Sequence, residues 1–306
     1  MAETTVGGRA PAHEPGDIPA PGYEVIALLS RGRRLDVYDA WSHERETRCV
    51  LKMLRPERRG ERRARELLLR EGSLLERLSH PHIVRGYETI SHPEPIVVME
   101  TLPGRTVGRL IEDSAPLAAG DVAHLGLHLA SAMSYLHRHG FLHLDLKPDN
   151  VVADGTRAKV IDLSLARPPG TATAGIGTWS YLSPEQARGG DLTPAADVWG
   201  IGSILFEAAS GAPAFPGPGS DSGDSDSSTH PSWETGGSEN RWRGDYPQLE
   251  SRAPGLAENG AQPPELGRLV DRCLAPDPTD RPCLRSLMAG LEPIARIPRA
   301  ERRYAA

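Results

Sequence analysis

The sequence is poor in cysteine, with three among 306 residues. Cys49, Cys273 and Cys283 share neither a metal-ligand spacing nor a paired framework, which leaves free thiols of a reducing compartment. An excess of basic residues is also lacking: the net charge is −6, so the charge of the whole molecule points to neither nucleic acid nor an anionic membrane. The start, Met1-Ala2-Glu3-Thr4-Thr5, has no basic segment followed by an apolar one and does not read as a secretory signal. No apolar run approaches the roughly eighteen residues that span a bilayer. The best candidate, Val198 to Ala209, is broken by Gly200, Gly202, Ser203 and Glu207. These absences predict a cytoplasmic chain with one or two cores, no membrane anchor and no nucleic-acid partner.

What is present is concentrated in His143-Leu144-Asp145-Leu146-Lys147-Pro148-Asp149-Asn150, with Asp162 twelve residues further on. Between them, two short β-branched runs flank an Asp154-Gly155 turn signal, which predicts a hairpin. Folding it about Gly155 and Thr156 puts Asn150 across from Asp162. One amide oxygen and one carboxylate then face a common spot, a set suited to a hard cation such as Mg2+ that keeps phosphate oxygens as further ligands. Asp145 and Lys147 supply a base and a fixed positive charge just upstream, a grouping that phosphoryl transfer needs.

The coarse pattern is α+β. Short strands read from Tyr23 to Leu29, Val37 to Trp41 and Arg48 to Leu54, then a helix from about Glu61 to Leu78 and a strand pair ending at Pro95 to Glu100. Helical spacing follows at Val122, Leu125, Leu129, Met133 and Leu136. Another helix opens at Thr193-Pro194, and a third spans Pro264 to Leu274. In the strand Cys49-Val50-Leu51-Lys52-Met53, Lys52 shares a face with Val50. Glu71 sits on the apolar stripe of the following helix, where a carboxylate is costly unless paired. Lys52 is its expected partner. Residues 1–20 read as a disordered leader and 216–262 as a flexible insertion rich in Gly, Ser, Asp and Pro. A short tail occupies 293–306.

The spacing His-x-Asp-x-Lys-x-x-x-Asn, with Asp162-Leu163-Ser164 where Asp-Phe-Gly is usual, resembles the catalytic loop of eukaryotic-type bacterial Ser/Thr protein kinases. The resemblance covers about residues 21–292. It implies a two-lobed fold, a mainly β lobe over about 21–102 and a mostly helical lobe over about 103–292. It implies ATP and Mg2+ as cofactors, a protein bearing Ser or Thr as partner, and transfer of the γ-phosphoryl group. By the same resemblance Asp145, Lys147 and Asn150 are catalytic, Asn150 and Asp162 bind metal, and Lys52 with Glu71 holds the α- and β-phosphates. Leu29, Val37, Val50 and Val152 would sandwich the adenine, with Met99 as gatekeeper and the backbone of Glu100 and Leu102 against the base. Gly177-Thr178-Trp179-Ser180-Tyr181-Leu182-Ser183-Pro184-Glu185-Gln186 resembles the substrate-docking end of the activation segment. Thr178 would touch Asp145 and Lys147, Glu185 would pair with Arg281, and Asp197 would hold the catalytic-loop backbone.

Two departures stand out. Where the family has Gly-x-Gly-x-x-Gly-x-Val, this chain reads Ser30-Arg31-Gly32-Arg33-Arg34-Leu35-Asp36-Val37. Only Gly32 and Val37 match, so backbone approach to phosphate is restricted at two points. Arg31, Arg33 and Arg34 are either phosphate contacts in compensation or solvated charges. Leu144 replaces the arginine that normally pairs with a phosphorylated activation loop, which predicts activity independent of loop phosphorylation. Ser30, Leu35, Leu144 and Ser164 motivate the alternative: a pseudokinase acting as a nucleotide-binding or scaffold module.

Overall fold

The computed structural model describes residues 13–217, 246–258 and 262–296. They fall into two units, 13–79 with 84–102, and 80–83 with the described residues from 103 onward.

The first unit is built on an antiparallel sheet ordered β1-β2-β3-β5-β4, formed by β1 (Tyr23–Arg31), β2 (Leu35–Ser42), β3 (Thr47–Leu54), β4 (Gly86–Ile90) and β5 (Ile96–Glu100). Alternation along β2 and β3 puts Tyr38, Ala40, Cys49, Leu51 and Met53 into the core with Val25, Ile96 and Val98. Helix α1 (Arg62–Arg77) turns Leu68, Glu71, Leu74 and Leu75 inward. Residues 13–20, expected to be disordered, are held: the amide of Gly16 donates to Val25 O at 2.8 Å, Val25 N donates to Asp17 O at 2.9 Å, and Ala20 is buried. Backbone pairing to β1 supplies what the apolar-poor composition does not. Residues 1–12 lie outside the described residues.

The second unit carries β6 (Arg105–Thr106), α2 (Val107–Ser114), α3 (Ala119–Arg138), β7 (Val151–Asp154), β8 (Arg157–Val160), β9 (Gly170–Ala172), α4 (Pro184–Arg188), β10 (Gly190–Leu192), α5 (Pro194–Ser210), α6 (Pro247–Glu250), α7 (Pro264–Cys273) and α8 (Leu284–Ala295). The apolar stripe of α3 is buried, and α5 is buried nearly all round, as a central core helix must be. The β7–β8 hairpin closes on Asp154↔Arg157 with Gly155 at φ +59°, a left-handed turn that favours glycine. Its register pairs Val151 with Val160, and Ile161 N donates to Asn150 O at 3.0 Å. Asn150 thus stands opposite Ile161, one residue short of the expected Asp162, because the two-residue turn fixes the count.

Two boundaries change. The C-terminal part of the expected 216–262 insertion is folded: Leu256 is buried, and Gln262 donates to Leu117 O and Ala209 O, each at 3.0 Å. Average composition across the stretch hides these few packing residues, while 218–245 and 259–261 lie outside the described residues. Helix α8 continues through Ile294, which is buried, so the tail does not begin at 293.

Candidate active site

In the second unit, the loop before β7 is fixed from beneath by Asp197 at the start of α5. Its carboxylate accepts from His143 N at 2.9 Å, Leu144 N at 2.8 Å and His137 Nε2 at 2.7 Å. Complete burial alone would push this carboxyl up, but the hydrogen bond and charge of His137, with His143, hold it below the usual range. Asp197 therefore remains an acceptor able to bind both loop amides.

Asp145 is oriented on several sides. Asn150 Nδ2 donates to its backbone O at 2.9 Å and to Oδ2 at 3.1 Å, and Thr178 Oγ1 donates to Oδ1 at 2.7 Å. Lys147 Nζ donates to Thr178 Oγ1 at 3.1 Å and lies 3.9 Å from Asp145 Oδ2. With Nδ2 engaged twice, the amide of Asn150 has its orientation set, and Oδ1 is the oxygen left for a cation. Asp162 Oδ1 accepts from Ser164 N at 2.8 Å. One carboxylate and one amide oxygen fit Mg2+, which takes few protein ligands beside substrate phosphates. Among the described residues no group of three or more His, Cys, Asp or Glu is placed to hold a metal ion.

The expected arginine position holds Leu144 at φ +66°, strained for a branched residue. Its side chain is buried among Leu142, Leu165, Ile176, Leu192 and Ala196. Apolar packing occupies the place of a phosphate-reading cation. Ser164 does not adopt positive φ, so a serine in place of glycine is not strained there. Glu185 and Arg281 make a two-pronged pair, Nη1 to Oε1 at 2.6 Å and Nη2 to Oε2 at 2.9 Å. The guanidinium also donates to Ala275 O and Ala195 O and lies 5.0 Å from the centre of the Trp199 ring.

In the first unit, Lys52 Nζ donates to both oxygens of Glu71 at 2.8 Å, with both residues buried. Met99 is buried, Val37 and Val50 half-buried and Leu29 exposed. Glu100 N donates to Arg85 O at 3.0 Å, and its side chain accepts from Arg85 N at 2.8 Å. Val152 belongs to the second unit and is buried; Leu102 ends the first. At the tip of the β1–β2 hairpin, Gly32 N donates to Leu35 O at 2.8 Å and Gly32 O accepts from Arg55 Nη1 at 3.1 Å. Both polar backbone groups of Gly32 are therefore engaged within the unit. Arg31 faces Asp36 at 3.6 Å and Glu57 at 3.7 Å, and Arg34 faces Glu61 at 3.3 Å. Carboxylates, rather than bulk solvent alone, partner these two arginines.

Comparison with known proteins settles the kinship. Residues 23–290 match the protein kinase domain. This chain belongs to the protein kinase family. A probable serine/threonine-protein kinase PknB of Lactococcus lactis subsp. lactis (strain IL1403) is 35% identical over 211 residues, 66% of this chain and 34% of the relative. Serine/threonine-protein kinase PkaA of Streptomyces coelicolor is 32% identical over 237 residues, covering 74% and 39%, and PknB of Mycobacterium leprae (strain TN) is 31% identical over 207 residues, covering 64% and 33%. The chain thus spans between a third and two fifths of the length of these relatives. The α+β division into a sheet-based unit and a mainly helical one is the two-lobed kinase fold. Among the described residues no helix is long and apolar enough to cross a membrane.

Within this kinase fold, three contributors escape the motif reading. His137 adds the third bond to Asp197. Gln186 donates to Leu144 O and Ile176 O, both at 2.8 Å, tying the segment from 177 to 186 to the loop before β7. Ser183-Pro184-Glu185-Gln186 forms a capping box at α4, a pattern visible in the sequence. Gln248, from the supposed insertion, donates to Trp179 O and Leu182 O, and no linear signal marks it.

Proposed function

We propose that this chain is an active, ATP-dependent Ser/Thr protein kinase. The observation that carries the reading is the fixation of Asp145 by Asn150 and Thr178, with Lys147 bonded to the same threonine hydroxyl. In this reading a substrate Ser or Thr hydroxyl attacks the γ-phosphorus, its proton passes to Asp145, and ADP leaves. A positioned base of this kind contributes about 10²–10⁴ in rate. Lys147 balances negative charge beside the base. Lys52, held by Glu71, takes the α- and β-phosphates, while Asn150 and Asp162 hold Mg2+, which neutralises phosphate charge when bound. Leu29, Val37, Val50, Met99 and Val152 provide apolar contact for adenine, with Glu100 and Leu102 offering backbone groups.

We assign the docking of protein substrate to the segment from Gly177 to Gln186, with Thr178 next to the base, and regulation to packing rather than loop phosphorylation. Leu144 in its apolar cluster supports the latter. The pseudokinase reading is favoured by one observation, the closed hairpin tip in which Gly32 N–H already serves Leu35 O. A radiolabelled transfer assay with Mg2+-ATP and a generic basic protein, run beside Asp145→Asn, separates the two. The kinase reading expects transfer that falls by about 10² or more in the variant. Nucleotide binding without transfer by the parent would leave the pseudokinase.

A further inference from the structure

The docking segment is held on its catalytic side by Thr178 and Gln186, yet the carbonyls of Trp179 and Leu182 need donors from elsewhere. Gln248 supplies them: Nε2 donates to Trp179 O at 3.0 Å and to Leu182 O at 3.2 Å, and the residue is 2% exposed. Tyr246, two residues earlier, lays its ring against Trp179 with centroids 6.3 Å apart. Its hydroxyl reaches Gly175, where an added Cβ would meet it at 2.7 Å and where φ is +80°. Burial pushes the Tyr246 phenol up, consistent with a ring enclosed at this seam. Helix α6 begins between these two residues and is closed by Ser251 N donating to Pro247 O at 2.8 Å, so the three residues have a defined backbone.

We propose that Tyr246-Pro247-Gln248 is a strap that positions the substrate-docking segment, making Gln248 a positioning residue for acceptor protein binding. This rests on the kinase reading above. A buried carbonyl stripped of its donor is costly, so losing Gln248 Nε2 would release Trp179 and Leu182 from their present shape. Thr178 would keep its bonds to Asp145 and Lys147, and Gln186 would keep Leu144 O. The catalytic side therefore survives, and the defect falls on acceptor docking rather than on the chemical step.

The test is Gln248→Met, which keeps the length and removes both donors. Amide hydrogen exchange across 175–183 is measured together with initial rates on myelin basic protein at varied protein and Mg2+-ATP. Expected are faster exchange at 179–182 and a KM for the acceptor raised about tenfold, from two lost bonds, with kcat and KM for Mg2+-ATP within about twofold. Unchanged exchange, an unchanged acceptor KM, or an equal loss in kcat and both KM values overturns the strap. If Gln248→Met does not fold, Tyr246→Ala, which removes the ring against Trp179, decides by the same kinetics and the same expected split. A parent protein that transfers no phosphate sinks the kinase reading and the strap's role with it. An active parent with a parent-like Gln248→Met sinks the strap alone.

Discussion

At the tip of the β1–β2 hairpin, Arg31 sits 3.6 Å from Asp36 and 3.7 Å from Glu57, while Arg34 sits 3.3 Å from Glu61. In the loop before β7, Asp145 is fixed by bonds of 2.7 Å from Thr178 and 2.9 to 3.1 Å from Asn150. Both regions depart from the family pattern, the hairpin at Ser30 and Leu35, the loop at Leu144. The hairpin meets its departure with ion pairs: Arg31 faces the buried Asp36, while the partly exposed Arg34–Glu61 pair contributes about 0–1 kcal/mol and weakens with salt. The loop meets its departure with part-buried bonds to Asp145, buried bonds from its backbone to Asp197, and an apolar cluster around Leu144. Changes at the hairpin should therefore tune nucleotide affinity, whereas changes beneath the loop should decide whether chemistry occurs.

The sharpest way to break that contrast is Asp162→Ala. Removing the Asp162 carboxylate is expected to abolish Mg2+-dependent nucleotide binding while the protein stays folded, since Asp162 is only partly buried and accepts from the amide of Ser164 in its own loop. Calorimetric titration with Mg2+-ATP reads it. A variant that binds as the parent does means the metal ligands lie elsewhere.

A second expected effect concerns pH and again belongs to the buried side. Glu207 on α5 accepts from the Tyr181 hydroxyl at 2.9 Å. Burial pushes its carboxyl from 4.5 to about 7, the Tyr181 bond opposing and Asp149 and Glu112 adding repulsion. The folded protein then binds this proton more tightly than the unfolded chain. Its contribution to stability is full below pH 4.5 and disappears as pH rises through about 7. At about 1.4 kcal/mol per pKa unit, the ceiling is about 3 kcal/mol. Urea unfolding of Glu207→Gln at pH 5 and pH 8 should show less loss than the parent over that interval. Identical pH profiles would mean Glu207 is not the titrating group.

How much of this was legible depends on whether the information is linear. Lys52, Asp145, Lys147, Asn150, Asp162 and Asp197 stand at fixed spacings, so their partners follow from the motif. Lysine usage carried an unread hint: the sequence holds only three lysines, Lys52, Lys147 and Lys159, and two of them stand at the motif positions. The Leu144 cluster was not legible, because Leu142, Leu165, Ile176, Leu192 and Ala196 come from separate segments and meet only in three dimensions. Gln248 escaped for the same reason: its worth lies in two carbonyls more than sixty residues away in sequence. Residues 13–20 escaped because backbone pairing, which has no compositional signature, holds them. The hairpin was foreseen from Asp154-Gly155, but its register slipped by one, since composition does not count residues in a turn.

On the hairpin side, restoring glycine with Ser30→Gly and Leu35→Gly is expected to tighten Mg2+-ATP by at most about fivefold, roughly 1 kcal/mol, as the backbone regains freedom to approach phosphate. Gly32 is not at positive φ, so the present tip is a relaxed hairpin, and the gain must come from new conformations rather than relief of strain. Titration in low and high salt sharpens the comparison. Weaker binding by the glycine variant would show that the arginines, not the backbone, hold the phosphates.

The smallest effect is expected in the activation segment. Strands β9 and β10 pair Thr171 with Asp191, Thr171 Oγ1 donates to Asp191 Oδ1 at 2.5 Å, and Arg167 Nη2 donates to Thr171 O at 2.9 Å. These bonds are exposed, while Leu144, Leu165, Ile176 and Leu192 beneath them form an apolar anchor that needs no phosphate. Removing one exposed hydroxyl bond costs about 0.5–1.5 kcal/mol of local order at most, and the backbone pairing of β9 with β10 persists without it. Thr171→Ala with Thr173→Ala should therefore leave turnover within a few-fold of the parent. Thr178→Ala should cost far more, because it removes the hydroxyl shared by Asp145 and Lys147. The measurement is turnover of both variants and of phosphatase-treated parent. If phosphatase treatment or the double variant silences the protein, the apolar anchor does not suffice, and Arg167, already on the Thr171 carbonyl, becomes the cation that reads a phosphate there.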